Sequence, residues 1–182
     1  MRAYKGFEKN LTCRGYQFLE NSINKYTTKD NAKCVSHGFH CAENPLDCLT
    51  YYPNMNQSVY YVVEATGDIH EDGSDSKLSC TELKLIKKLS IEEFVYCALI
   101  FVAKHPERDY GRHIKTDEGI SNSKEFVIVR GKNPKAKGPV GSVLGLIQEY
   151  KKSNRIKGIN FFRVDGEKIK ADFFYNIDEV IV

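Results

Sequence analysis

Ser90-Ile91-Glu92-Glu93, followed by an apolar run to Ala103, is the feature that most constrains this fold. Ser at the N-cap and Glu at N3 can each satisfy the other's orphan N–H, so a helix is predicted to begin there. Apolar residues lie nearly all round that helix, which therefore has to be buried against another layer. Strands can supply the layer. Val59 to Glu64 is β-branched and aromatic throughout, and residues 2–7 and 15–19 are short, aromatic-rich and punctuated by Gly6 and Gly15. Leu78 to Leu89 reads as one or two strands more, while 20–33 reads as a loop with a helical turn around Lys29 to Cys34. Asn44-Pro45-Leu46-Asp47 opens a second helix, with Asn44 as cap, Pro45 at N1 and Asp47 in the positive first turn, and Pro53 ends it near Tyr52.

The C-terminal half reads as mostly antiparallel β. Glu125 to Val129 and Val140 to Tyr150 are predicted strands joined by a basic Gly/Pro turn, Arg130 to Gly138. Gly158 to Val164 and Glu167 to Tyr175 then flank Asp165-Gly166, a strong hairpin signal because both turn residues tolerate positive φ. The expected fold class is α+β, with mixed or antiparallel sheets, about two main helices and a C-terminal half that is mostly β with a hairpin. The expected division is an N-terminal α+β domain over 1–104, a linker over 105–124 and a basic, β-rich subdomain over 125–182.

With 182 residues, 41% of them hydrophobic, the chain can bury a core without disulfide staples and is too apolar for wholesale disorder. Its longest apolar stretch, Phe94 to Ala103, is about half of what a bilayer crossing needs. No apolar h-region follows Met1, so a secretory signal is not expected and the six cysteines are expected to stay reduced. The net charge of +3 hides a gradient. Residues 1–103 carry 11 Lys and Arg against 13 Asp and Glu, and residues 104–182 carry 16 against 11. Contact with a polyanion is thus permitted to the second half and not demanded.

Four constellations could carry chemistry. Cys34, His37, His40 and Cys41 have soft-ligand spacing for zinc, but no second compact Cys/His pair balances them, so they are read as core residues and no metal is assigned. A catalytic thiol would be Cys13 or Cys41, and nothing nearby in sequence supplies its orienting partner. Arg14 after a first strand, then Gly38-Phe39-His40 and a helix ending in Tyr51-Tyr52, resembles the ADP-ribosyltransferase arrangement that clamps NAD in a split sheet. That chemistry needs a late Glu on the ribose hydroxyl, for which Glu64 and Glu125 are equal candidates. The fourth constellation is basic: Arg130, Lys132, Lys135 and Lys137 on one predicted turn, and Lys151, Lys152, Arg155 and Lys157 on the loop after Tyr150. Brought together, they would contact phosphates of double-stranded DNA without reading sequence.

Tyr4-Lys5-Gly6-Phe7, Thr12 to Phe18, Gly38-Phe39-His40 and Glu43 to Tyr52 resemble the N-terminal domain of an uncharacterised phage and prophage family. Lys135 to Gly138 and Arg163 to Lys170 resemble its C-terminal cap. Many members of that family hold an Ala/Gly/Ser-rich repeat between the two ends, suggesting a β-solenoid, for which 105–134 leaves room for about one rung. Within it the chain is similar to the type II anti-CRISPR proteins. That resemblance implies a non-enzymatic protein without cofactor or catalytic residue, acting in the cytoplasm of a bacterial host. It would bind a type II CRISPR effector nuclease with its guide RNA one-to-one, through Glu71, Asp72 and Asp75 or with help from the basic loops and DNA. Edge strands in the C-terminal half could pair across a homodimer. The alternative expectation is an NAD-using, ADP-ribosyltransferase-like enzyme or its inactive descendant.

Overall fold

The computed structural model describes residues 1–27, 37–71, 76–123 and 125–182. The protein is α+β and divides into two compact units, Met1–Ser90 and Ile91–Val182. The boundary falls at Ser90, not at 104. The helix predicted to begin at Ser90 belongs to the second unit because the sheet that covers its apolar face comes after it in the chain.

The first unit is an antiparallel sheet built from β1 (Arg2–Glu8), β4 (Ile23–Lys25), β5 (Phe39–Ala42), β6 (Ser58–Glu71) and β7 (Lys77–Lys88), in the order β4-β7-β5-β1-β6. β6 also pairs with β7, so β7, β5, β1 and β6 close on themselves. Closure leaves one inner face, filled by Ala3, Phe7, Phe18, Phe39, Cys41, Tyr61, Val63, Ala65, Leu78, Cys80, Leu83 and Leu85. Strand alternation explains that set: Ala3 and Phe7 share a face of β1, as Tyr61, Val63 and Ala65 share a face of β6. A two-stranded hairpin of β2 (Thr12–Cys13) and β3 (Tyr16–Gln17) lies between β1 and β4 in the chain. The predicted helix at Asn44 is a 3-10 helix over Pro45–Thr50, and the Asn44 side-chain oxygen accepts from the Leu46 N–H at 3.1 Å. The helical turn expected around Lys29 to Cys34 lies outside the described residues.

The second unit stacks helix α1 (Ile91–Lys104) on a sheet of β8 (Lys115–Ile120), β9 (Phe126–Lys137), β10 (Val143–Glu149) and β11 (Ile156–Arg163), in the order β11-β10-β9-β8. The helix buries Phe94, Val95, Ala98, Leu99 and Val102, one face at helical spacing. It comes so near the sheet that a Cβ on Gly145 would lie 2.9 Å from Val95 Cγ1. Arg163 Nε donates to Glu92 Oε1 at 2.6 Å and ties β11 to the first turn of α1. The opposite sheet face buries Val127, Val129, Leu144, Leu146 and Phe162 under the C-terminal segment with Val164, Ile169 and Tyr175.

Three differences from the sequence reading have physical causes. Residues 105–124, expected as a linker, include strand β8 (Lys115–Ile120), which pairs parallel with β9 (Phe126–Lys137). β9 in turn pairs parallel with β10 (Val143–Glu149), placing Lys115, Val129 and Leu146 side by side on three strands. Arg130 to Lys137 is thus strand and not turn. Its Gly/Pro signal marks a corner where Gly131 passes under Asp117, and a Cβ there would meet Asp117 Oδ1 at 2.0 Å. The antiparallel hairpin pairs β10 with β11 (Ile156–Arg163) instead of closing around Asp165-Gly166. Asp165 Oδ1 accepts from the N–H groups of Glu167 and Ile169, which turns the chain away from a ladder until Tyr175 meets Ala136.

Candidate functional site

Lys5 is the anomaly of the first unit. Alternation puts it on the inner face of β1 between Ala3 and Phe7, and it is only 4% exposed. Its Nζ donates to the His40 carbonyl oxygen at 2.6 Å and to Cys13 Sγ at 3.6 Å, and it lies over the rings of Phe7 and Phe18 at 5.3 and 5.4 Å. An ammonium has three protons to place, and only one of these partners is a strong acceptor. Among the described residues no carboxylate pairs with it. A buried ammonium without a counter-charge costs several kcal/mol, by the usual order of magnitude.

The ammonium faces a pocket of about 130 Å³ lined by Tyr4, Lys5, Cys13, Arg14, His40, Cys41, Asp47, Cys48, Tyr51, Tyr52 and Lys77. That volume is in the class that takes a single six-membered ring. Four local features build it. Cys13 pairs with Tyr16 across a two-residue turn in which Arg14 and Gly15 both have positive φ, 49° and 79°, the primed turn that suits a hairpin. Left-handed backbone is unusual for arginine, and here it sets Arg14 on the pocket wall. Gly6 lets the Tyr52 ring lie against β1, since a Cβ would be 2.6 Å from Tyr52 Cδ2. The 3-10 helix delivers Asp47, Cys48 and the two tyrosines after it. Lys77 opens β7, with Nζ 3.2 Å from the Tyr51 hydroxyl and above its ring.

The field inside the pocket is positive. His40 is pushed down to about 4, first by burial and then by the charges of Lys5, Arg14 and Lys77, which all bear on it. The carboxylate of the lining, Asp47, is engaged on both oxygens: Asn44 Nδ2 donates to Oδ1 at 2.9 Å, and the Ser76 hydroxyl donates to Oδ2 at 2.5 Å. Burial pushes the Cys48 thiol up to about 12. A hydrogen bond with Cys80, then burial, holds Cys41 well above the ordinary thiol range. These thiols are core residues, and neither is poised to ionise.

His40 carries a pH prediction. Its folded value lies below the unfolded 6.5, so the unfolded state binds the extra proton. The stability linked to this group is complete above pH 6.5 and is lost as the pH falls from 6.5 through 4. With the ring partly exposed and its charges screened, the loss is on the order of 1–2 kcal/mol. Urea unfolding at pH 7 and pH 4.5 should show His40→Asn losing less stability between the two than the unchanged chain. An equal loss would mean that His40 is not the linked group.

The other expected site residues are scattered. Cys34 lies outside the described residues, and among those described no three His, Cys, Asp or Glu side chains are placed to hold a metal. Glu71 ends β6 and is exposed, while Asp72 and Asp75 lie outside the described residues. Arg130 Nε and Lys132 Nζ both bond to Glu149, at 2.7 and 2.8 Å, holding its carboxyl below the usual range against the opposing pull of burial. Lys135 pairs with Glu118 at 2.9 Å, and Lys135 and Lys137 both lie over the Phe174 ring. Lys151, Lys152, Arg155 and Lys157 are exposed around the turn between β10 and β11. Glu64 is exposed on β6 and is not part of the pocket lining. No helix among the described residues is long and apolar enough to cross a membrane.

Arg14, His40, Tyr51 and Tyr52, which the sequence suggested in order, are brought together here. Lys5 and Lys77 were missed. The signal for Lys5 was present, because Ala3-x-Lys5-x-Phe7 puts a charge on the apolar face of a strand. A family model described as a domain of unknown function, DUF7666, matches residues 1–97. No curated protein and no solved structure matches the chain.

Proposed function

We propose a function for this chain, which belongs to the DUF7666 family, from its pocket: the first unit binds an anionic nucleotide of the NAD class without turning it over. The observation that carries this reading is the buried Lys5 ammonium, without a carboxylate partner among the described residues and facing a ring-sized pocket. A phosphate oxygen would supply its missing counter-charge, with Arg14 and Lys77 as further cations. Tyr4, Tyr51 and Tyr52 offer aromatic surface to a planar base. The order of Arg14, Gly38-Phe39-His40 and Tyr51-Tyr52 is the one that resembles ADP-ribosyltransferases. Transfer would need a carboxylate to polarise the ribose hydroxyl. Asp47 is held by Asn44 and Ser76, and neither Glu64 nor Glu125 is part of the lining, which favours binding over catalysis.

Thermal unfolding with added ligand tests the reading. NAD and ADP-ribose should raise the melting temperature in a concentration-dependent way, whereas uncharged adenosine should not. NAD should be recovered intact after prolonged incubation. Equal shifts with adenosine would remove the anion argument, and NAD consumption would make the chain an enzyme.

A second reading, stoichiometric inhibition of a type II CRISPR effector, draws its support from Lys151, Lys152, Arg155 and Lys157, exposed together around one turn. Such a patch suits a phosphate backbone and loses affinity steeply with salt. Cleavage of target DNA by the effector and guide, titrated with this protein, should then stop near equimolar. Full cleavage at large excess would end that reading.

A further inference from the structure

Among the described cysteines, Cys41, Cys48 and Cys80 are buried, while Cys13 and Cys97 are partly exposed. Cys13 differs from Cys97 in its surroundings. Its sulfur is 3.6 Å from Lys5 Nζ, and that ammonium is more than nine-tenths buried, has no carboxylate partner among the described residues, and faces the same pocket. Arg14 follows Cys13 at the left-handed turn, and both line the pocket. The Tyr52 phenol is pushed above its ordinary range, first by burial and then by its hydrogen bond with Cys13, so it stays a proton donor beside the sulfur. An ammonium and a phenol both face this one sulfur, and the thiolate is the form of cysteine that attacks. The surrounding positive charge also selects what approaches, since it attracts anionic reagents.

We infer that Cys13, held against the buried Lys5 ammonium at the pocket wall, is a thiol-modification site for anionic low-molecular-weight disulfides of the glutathione disulfide class. The Cys13 thiolate attacks one sulfur of the disulfide, and the S–S bond of the reagent breaks as a bond from Cys13 forms. One glutathione thiolate leaves and takes up a proton from water. The disulfide is the oxidant: one of its sulfurs leaves reduced, and Cys13 ends oxidised in a mixed disulfide. Excess free thiol reverses the exchange. The bound tripeptide carries carboxylates toward Lys5, Arg14 and Lys77 and fills the pocket mouth, so modification and ligand binding exclude each other. This last consequence rests on the anion-pocket reading, whereas the reactivity of Cys13 does not.

The test uses the whole chain, reduced and then exposed to oxidised glutathione, with peptide mass mapping over time. Cys13 should gain one glutathionyl group about tenfold faster than Cys97 in the same molecules, a comparison that needs no variant. Lys5→Met should slow Cys13 about tenfold and leave Cys97 unchanged, and Lys5→Arg should restore most of the rate. Equal rates at Cys13 and Cys97, or a Cys13 rate indifferent to Lys5→Met, would overturn the inference. A Cys13 that reacts selectively in a chain that binds no nucleotide would leave the modification site standing and sink the nucleotide reading. A modified chain that still binds NAD as before would overturn the exclusion.

Discussion

Lys5→Met should make the first unit more stable and at the same time unable to hold an anion. The ammonium is 4% exposed, accepted strongly by one carbonyl, and countered by no carboxylate among the described residues. Replacing it with an apolar chain of similar length removes a desolvation cost of several kcal/mol. The same change removes the hydrogen bond to the His40 carbonyl oxygen, for about 1–3 kcal/mol, and forfeits two ring contacts of about 0.5–1 kcal/mol each. Relief from desolvation outweighs these losses, leaving a net gain of roughly 1 kcal/mol, read as a rise of a few degrees in melting temperature. Affinity for NAD should fall by at least about 30-fold, since losing one partner of a buried charge-assisted contact costs about 2–5 kcal/mol. Stability and binding moving in opposite directions mark a residue kept for function. A variant that loses both would make Lys5 a structural residue.

Gly38→Ala carries the largest expected loss of stability. Gly38 has φ of 97°, in the left-handed region, and a Cβ there would lie 2.8 Å from the backbone oxygen of Cys80. The obstacle is backbone on β7, opposite Phe39 in the β5–β7 ladder, and cannot swing aside as a side chain would. Strain at such a position costs about 1–3 kcal/mol, and displacing the ladder adds to it, for a total of roughly 2–4 kcal/mol. Since His40 and Cys41 follow on the same strand, ligand affinity should drop with stability. Equilibrium denaturation reads the first and titration the second. An unchanged midpoint would show that β5 tolerates a side chain at its entry.

Local chemistry was legible in the sequence and long-range pairing was not. The Ser90 capping box and the Asn44-Pro45 cap announced their helices because the partners in each motif lie within a turn of one another. The Gly/Pro run from Arg130 to Gly138 misled because Gly131 is small for a distant reason, the passage of Asp117 on a neighbouring strand. Asp165-Gly166 misled because the Asp165 side chain captured two backbone donors that a hairpin would have used. At the site, Arg14 and Tyr51-Tyr52 were visible as a motif order, yet nothing local told that they converge. Lys5 was visible to alternation alone, since a lysine in a strand usually marks the solvent face. The basic quartet from Arg130 to Lys137 was legible as charge, but the pairing of Arg130 and Lys132 with Glu149 and of Lys135 with Glu118 depended on register between strands.

Calorimetric titration of the reduced, purified chain with NAD decides whether the Lys5 pocket is an anion site. Saturable binding with one ligand per chain is expected, weakened by added inorganic phosphate and lost in Lys5→Met. No heat of binding for NAD, or binding that Lys5→Met leaves unchanged, would show that the buried ammonium serves some other purpose.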